Sequence, residues 1–184
     1  NTFFVNPMAV FEMLCEKYAV QAVFCNRDYE PQAIQRDTEN HRFFKEKNIP
    51  FRAFKDHVIF DQNDVLKNDG TPYTVYTPYS KKWKALLVDE DYKPYYANHT
   101  NFFRQEFAEI LSLNELGFVK TAIPFEAPEL DAAVINEYDK FRDFPALQRT
   151  TQLGVALRFG TISIRKCVAF ALSHNQTWLN ELIW

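Results

Sequence analysis

Trp178, Glu181 and Trp184 stand three residues apart in the last stretch of this 184-residue chain. On a helix, positions three apart lie about 60° apart around the axis, so a carboxylate beside an indole makes one small patch. A Trp face can stack on an extruded base while a carboxylate accepts hydrogen bonds from base N–H groups. The alternative puts both indoles in the core and leaves Glu181 solvated, and spacing alone does not choose. Arg142 beside Asp143 reads in two ways as well: a surface ion pair of little worth, or an Arg at a helix end that holds a phosphate. Thr150, Thr151, Gln152, Leu153 and Gly154 bring hydroxyls and backbone N–H groups to a short irregular stretch before a helix. Such a stretch is either an anion cradle or a helix cap.

Other chemistries lack their residues. His41, His57, His99 and His174 are scattered and never take a paired-ligand spacing, so no metal site is expected. No G-x-S-x-G elbow is present, and Gly70, Gly117, Gly154 and Gly160 cannot form a G-x-G-x-x-G or Walker loop. Any nucleotide would be held without a standard phosphate loop.

Elements that could position these residues follow from periodicity. Asn6-Pro7 signals a helix start, and Val10, Leu14 and Tyr18 recur at four-residue spacing, predicting a helix to about residue 18. Val20–Cys25 is an apolar run rich in β-formers, residues 32–47 are polar and helical, and Phe51–Phe54 and His57–Phe60 are further strand candidates. Strand, helix, strand in sequence implies a parallel sheet. Thr77-Pro78 opens a helix through Trp83, Leu86 and Leu87 that runs out at Asp89-Glu90-Asp91. Periodicity then fades, apart from a short helix expected over residues 107–116 and closed by Gly117. Leu130, Val134, Tyr138 and Phe141 mark one helix, Ser163 caps another, and Thr177 caps a third. The predicted order is α/β over residues 1–88, a linker over 89–128, and helices over 129–184.

Bulk properties narrow the class. Hydrophobic residues make up 47% and charged residues 24%, with 18 Phe, 9 Tyr and 3 Trp; disordered chains are far poorer in aromatics. No apolar run approaches the roughly 20 residues of a membrane-spanning helix, and no leader pattern opens the chain, so the expectation is a soluble cytoplasmic protein without membrane partners. The net charge of −3 gives no global basic field, so any DNA contact must be local. Cys15, Cys25 and Cys167 form no C-x-x-C pair and read as buried thiols. A first residue other than Met, and a last one in the middle of an apolar helical pattern, mark the chain as a piece of something longer.

Several stretches, in order, resemble the photolyase/cryptochrome family. Residues 26–31 (Asn-Arg-Asp-Tyr-Glu-Pro) look like the strand-to-helix turn of its antenna domain, and residues 70–79 (Gly-Thr-Pro-Tyr-Thr-Val-Tyr-Thr-Pro-Tyr) like its G-x-P-Y-x-V-F/Y-T-P-Y/F segment. Residues 138–145, 150–153, 157–163 and 178–184 resemble the opening of its flavin-binding helical domain. The resemblance implies a Rossmann-like parallel sheet, the incomplete antenna domain, followed by an incomplete α-helical FAD-binding segment. It implies that Tyr138, the Thr150 to Gly154 stretch and Trp178 face the flavin, and that Arg142 contacts the DNA backbone. It implies that Glu181 and Trp184, with Asn180 beside them, bind the lesion. The form W-x-N-E-x-x-W is closer to the cyclobutane-dimer enzymes than to cryptochromes or (6-4) enzymes.

The implied activity is that of a deoxyribodipyrimidine photo-lyase: light-driven electron transfer from reduced FAD to a pyrimidine dimer flipped out of UV-damaged DNA. The family also implies a monomeric parent. Gly154 stands where many members carry Ser. Gln32 and Ala33 stand where folate-binding members carry Asn-Glu, which argues against folate and leaves a deazaflavin, another flavin or no antenna. The missing first strands, remaining flavin helices and relay tryptophans imply that the piece itself does not repair DNA. Two rivals stand beside this reading: a cryptochrome-type photoreceptor, and a non-catalytic structural piece that associates with itself through exposed sheet edges and apolar helix faces.

Overall fold

A computed structural model describes residues 2–104, 106 and 109–184. The chain divides into two compact units, Asn1–Phe54 with Ala97–Glu126, and Lys55–Tyr96 with Ala127–Trp184.

In the first unit, α1 (Pro7–Lys17) begins where the sequence places it, with the Asn6 side chain accepting a hydrogen bond from the Met8 N–H at 2.9 Å. Strand β1 (Val23–Asn26) leads through α2 (Pro31–Glu46) to β2 (Phe51–Phe54). The strands pair in parallel, Val23 opposite Phe51 and Asn26 opposite Phe54, which is the crossover unit expected of an α/β sheet. Before α2, the Asp28 carboxylate accepts the N–H groups of Tyr29 and Glu30 at 2.6 and 3.2 Å, turning the strand into the helix. Phe44 of α2, fully buried, anchors this unit against the rings of Phe11, Phe43 and Phe51, with centroids 5.0 to 5.7 Å away. Burying such a ring contributes about 2 to 3 kcal/mol. Period-two alternation puts Phe24 and Phe54 together on an exposed sheet face, stacked at 6.0 Å.

The second unit is helical: α3 (Tyr76–Leu86), α4 (Asp89–Tyr92), α5 (Ala132–Asn136), α6 (Tyr138–Phe141), α7 (Gly154–Arg158), α8 (Ile164–His174) and α9 (Gln176–Ile183). Its core gathers Ile59, Trp83, Ile135, Val168, Trp178 and Leu179, among others. Arg165 of α8 forms an ion pair with Asp56 and donates to the Asp56 carbonyl at 3.1 Å, fixing the start of this unit to the helices.

Several local expectations need correction. Residues 57–60 are bends rather than a strand, because Lys55 donates to the Ile59 carbonyl at 2.6 Å and the Asp64 carboxylate accepts the Asp61 N–H at 2.7 Å. Those bonds curl the segment and send Ile59 into the helical core. The single helix expected through residues 130–141 breaks at Glu137, whose φ and ψ of −108° and 12° separate α5 from α6. Helix α9 is capped by Asn175, not Thr177: the Asn175 side-chain oxygen accepts the Thr177 and Trp178 N–H groups at 2.9 and 3.1 Å. Ser163 does occupy the cap of α8 but makes no side-chain cap bond. Helix α3 starts two residues early, at Tyr76 with Val75 rather than Thr77 at its cap, and Asp89–Tyr92 forms a short helix of its own. Of the helix expected over 107–116, residues 107 and 108 lie outside the described residues, and 109–112 are irregular. Gly117 closes a turn at φ +83°, where a Cβ would be strained.

Candidate functional site

The candidate flavin, DNA and lesion residues all fall in the second unit, on α6, α7, α9 and the segments next to them. Asn175 is the hinge. Its backbone N–H closes α8 on the Ala171 carbonyl at 3.0 Å, while its side chain caps α9. Its amide nitrogen also donates to the Asp139 carboxylate at 2.9 Å and the Asn136 carbonyl at 3.3 Å, tying α9 to α5 and α6. The rotation of α9 is set by its apolar side: Trp178, Leu179 and Ile183 are buried, which turns Glu181 and Trp184 outward.

The two indoles separate in role. Trp178 is 3% exposed and meets Phe170 edge-on at 6.4 Å, a core position. Trp184 is 68% exposed, its ring steadied by edge contacts to Tyr76 at 5.7 Å and Tyr79 at 5.6 Å, both from α3. Glu181 forms an ion pair with Arg142, just past α6. The Arg142 guanidinium also lies 5.9 Å from the Tyr138 ring, and the Glu181 charge raises its pKa above the usual arginine value. Burial pushes the Tyr138 hydroxyl pKa up, with the Glu181 charge adding to it. Glu181, Arg142 and Tyr138 thus form one cluster, while Asn180 has other partners: its side-chain oxygen accepts from Lys84 Nζ at 2.7 Å, and its backbone carbonyl accepts from the Tyr76 hydroxyl at 3.2 Å.

The Thr150 to Gly154 stretch lies apart from that patch in sequence and precedes α7. Gln152 takes the left-handed conformation at φ +50°, followed by Leu153 at φ −83° and ψ 0°. Left-handed and right-handed residues in succession turn backbone N–H groups toward one concavity. Leu153 is buried and anchors the stretch, Thr150 and Thr151 are half-buried, and Gly154 is exposed. A Cβ at Gly154 would meet nothing within 4 Å, so the fold does not enforce glycine there. Arg149 pairs with Glu137 through one guanidinium arm, and its Nε is buried without a partner among the described residues.

The arrangement therefore offers an exposed aromatic face beside a carboxylate and two cations, and separately a short segment with donors for an anion. Tyr76, Tyr79 and Lys84 are contributors that spacing did not reveal. Tyr76 and Tyr79 stand in the recognised 70–79 segment, but nothing local indicates that their partner is α9.

The DNA photolyase family model matches residues 2–97, more than half of the chain. The chain belongs to the DNA photolyase family. Photolyase relatives extend the similarity beyond that stretch. The deoxyribodipyrimidine photo-lyase of Synechococcus sp. is 28% identical over 97% of this chain and 43% of its own length. The Escherichia coli enzyme of the same name is 26% identical over 98% and 42%. The crystal structure of a bacterial class III photolyase from Agrobacterium tumefaciens superposes with a TM-score of 0.73 at 20% identity, over 98% of this chain and 42% of that one. That superposition supports the photolyase fold, an α/β portion followed by helices. The chain spans about two-fifths of the length of these relatives. Among the described residues, no helix is long and apolar enough to cross a membrane.

Proposed function

We propose that this chain carries the lesion-reading part of a light-driven, FAD-dependent deoxyribodipyrimidine photo-lyase acting in the cytoplasm on UV-damaged DNA. The observation that carries the reading is the α9 face, where exposed Trp184 stands beside Glu181 and Arg142. An indole beside a carboxylate offers a flat face on which an aromatic base or dimer can stack. In this role Trp184 stacks on the flipped dimer, with Tyr76 and Tyr79 keeping the ring from rotating away. Glu181 accepts hydrogen bonds from the dimer's N–H groups and so orients it on the indole. Arg142 holds that carboxylate in place and reaches the DNA backbone. Asn180 borders the same face.

The residues present fit a flavin dinucleotide in part. The orphaned Arg149 Nε beside the left-handed turn at Gln152 suits a phosphate. In this reading Thr150, Thr151, Gln152, Leu153 and Gly154 hold the phosphates and ribose, and Tyr138 and Trp178 border the flavin. When bound, reduced FAD supplies an excited-state electron that splits the dimer and is then returned. We further assign residues 1–88 to the antenna domain, 89–128 to the inter-domain connection and 129–184 to the opening of the FAD-binding domain. With Gln32 and Ala33 at the antenna position, we expect a chromophore other than folate, or none.

The reading is tested by repair of a cyclobutane thymine dimer in single-stranded DNA by the full-length, flavin-reduced protein. Dimers should disappear under blue light and persist in darkness. A protein that binds flavin yet leaves the dimers intact in light would instead support the cryptochrome reading.

A further inference from the structure

Asn180 and Glu181 are neighbours on α9, and Trp184 follows the last residue of that helix, its ring held against Tyr76 and Tyr79 of α3. Each of the two α9 residues is met by a cation from another segment: Arg142 pairs with Glu181, and Lys84 of α3, the helix that also carries Tyr76 and Tyr79, donates to Asn180 at 2.7 Å. The two cations differ in charge balance. Arg142 and Glu181 cancel, whereas Lys84 is held by a neutral amide. Among the described residues Lys84 makes no ion pair, and the acids that follow it on α4 are engaged elsewhere. Asp89 and Glu90 pair with Lys93 at 3.5 Å, and the Asp91 carboxylate accepts the Val88 N–H at 3.0 Å. Lys84 is therefore the net positive charge at the edge of the exposed indole.

A base pair or dimer stacked on Trp184 brings its own backbone with it, and phosphates lie on both sides of an extruded dinucleotide. With Glu181 beside the indole, an approaching strand meets a carboxylate whose repulsion Arg142 can only neutralise; attraction must come from another cation. We propose that Lys84 contacts a backbone phosphate of the strand whose dimer stacks on Trp184, and that Asn180 is the positioning residue that holds Lys84 there. The inference rests on the photolyase reading of the α9 face. It gives Asn180 a role through Lys84 in addition to bordering the lesion.

The test measures affinity for single-stranded DNA carrying one thymine dimer, against salt concentration and in the dark, with the full-length protein. Each phosphate contact on a single strand contributes about 0.7 to the slope of log affinity against log salt. Lys84→Gln should lower the slope by about 0.7, and Lys84→Arg should keep it. Asn180→Asp keeps an acceptor for Lys84 but neutralises its charge, so it should lower the slope similarly without lowering the melting temperature. A merely structural Lys84 to Asn180 link would not behave that way. Wild-type slopes in both Lys84→Gln and Asn180→Asp, with wild type still preferring dimer-containing over undamaged DNA, would overturn the inference and leave the photolyase reading standing. A wild-type protein without that preference would overturn the reading and the inference together.

Discussion

Glu181 and Trp184 sit one turn apart and owe their exposure to residues that do no chemistry. Trp178, Leu179 and Ile183 bury the opposite side of the helix, so outward placement follows from amphipathicity rather than from any feature of the two residues themselves. Cys167 shows the same control by surroundings. It is fully buried in the helical core, and desolvation raises its thiol from the ordinary 9.0 to about 11. Below pH 9 both the folded and unfolded thiols are protonated and the shift has no effect. Between pH 9 and 11 the unfolded thiol ionises first, so the unfolded state binds fewer protons and stability falls as pH rises. Between pH 8 and 10.5 this group should contribute a loss of about 2 kcal/mol. Chemical denaturation of wild type and Cys167→Ala at both pH values checks it: the variant should lose less on going alkaline, and equal losses would contradict the burial argument.

At the scale of elements, Asn175 carries more than its sequence position indicates. It ends α8, caps α9 and reaches Asp139 and the Asn136 carbonyl. Asn175→Ala should cost about 1 to 2 kcal/mol in urea unfolding, with Asn175→Asp recovering part of it through the retained cap oxygen. An unchanged midpoint for the alanine variant would remove Asn175 as the hinge. The start of α1 was legible because proline after a cap residue is a local signal, though the same signal at Thr77-Pro78 misplaced the start of α3. Helix α2 showed as a polar helical run, and β1 and β2 as apolar runs, the first beginning three residues later than its run. The cap of α9 was misplaced by two residues because Asn175 and Thr177 are both good cap residues, and only the backbone geometry distinguishes them. Spacing showed that Trp178, Glu181 and Trp184 belong to one helical stretch. That Trp178 is core while Trp184 is exposed was not legible, since both lie on that stretch and burial depends on what packs against it. The partners were least legible: Arg142 lies 39 residues from Glu181, and Lys84 lies 96 from Asn180.

Across the whole molecule, much apolar surface is left in water. Phe24 and Phe54 occupy one sheet face, while Phe102, Phe103, Phe118, Val119, Ile123 and Phe125 are each more than half exposed. Isolated exposed apolar residues are ordinary, but this density is not. The chain spans about two-fifths of its photolyase relatives, and on its own it should self-associate through these surfaces. Sedimentation velocity should show species above the monomer that grow with concentration, and a monomer at every concentration would contradict this. The net charge of −3 gives the chain no global basic field.

The central claim is that the α9 face reads a DNA lesion, and the most direct measurement is discrimination in the dark. Affinities of the full-length protein for oligonucleotides with and without one thymine dimer should be compared for wild type, Trp184→Ala and Glu181→Ala. Stacking on an aromatic side chain is worth about 1 to 3 kcal/mol per base, and a hydrogen bond to a charged group about 1.5 to 3. Each variant should therefore lose about ten-fold or more of the preference for the dimer while binding undamaged DNA as wild type does. A preference that survives both substitutions would contradict the account.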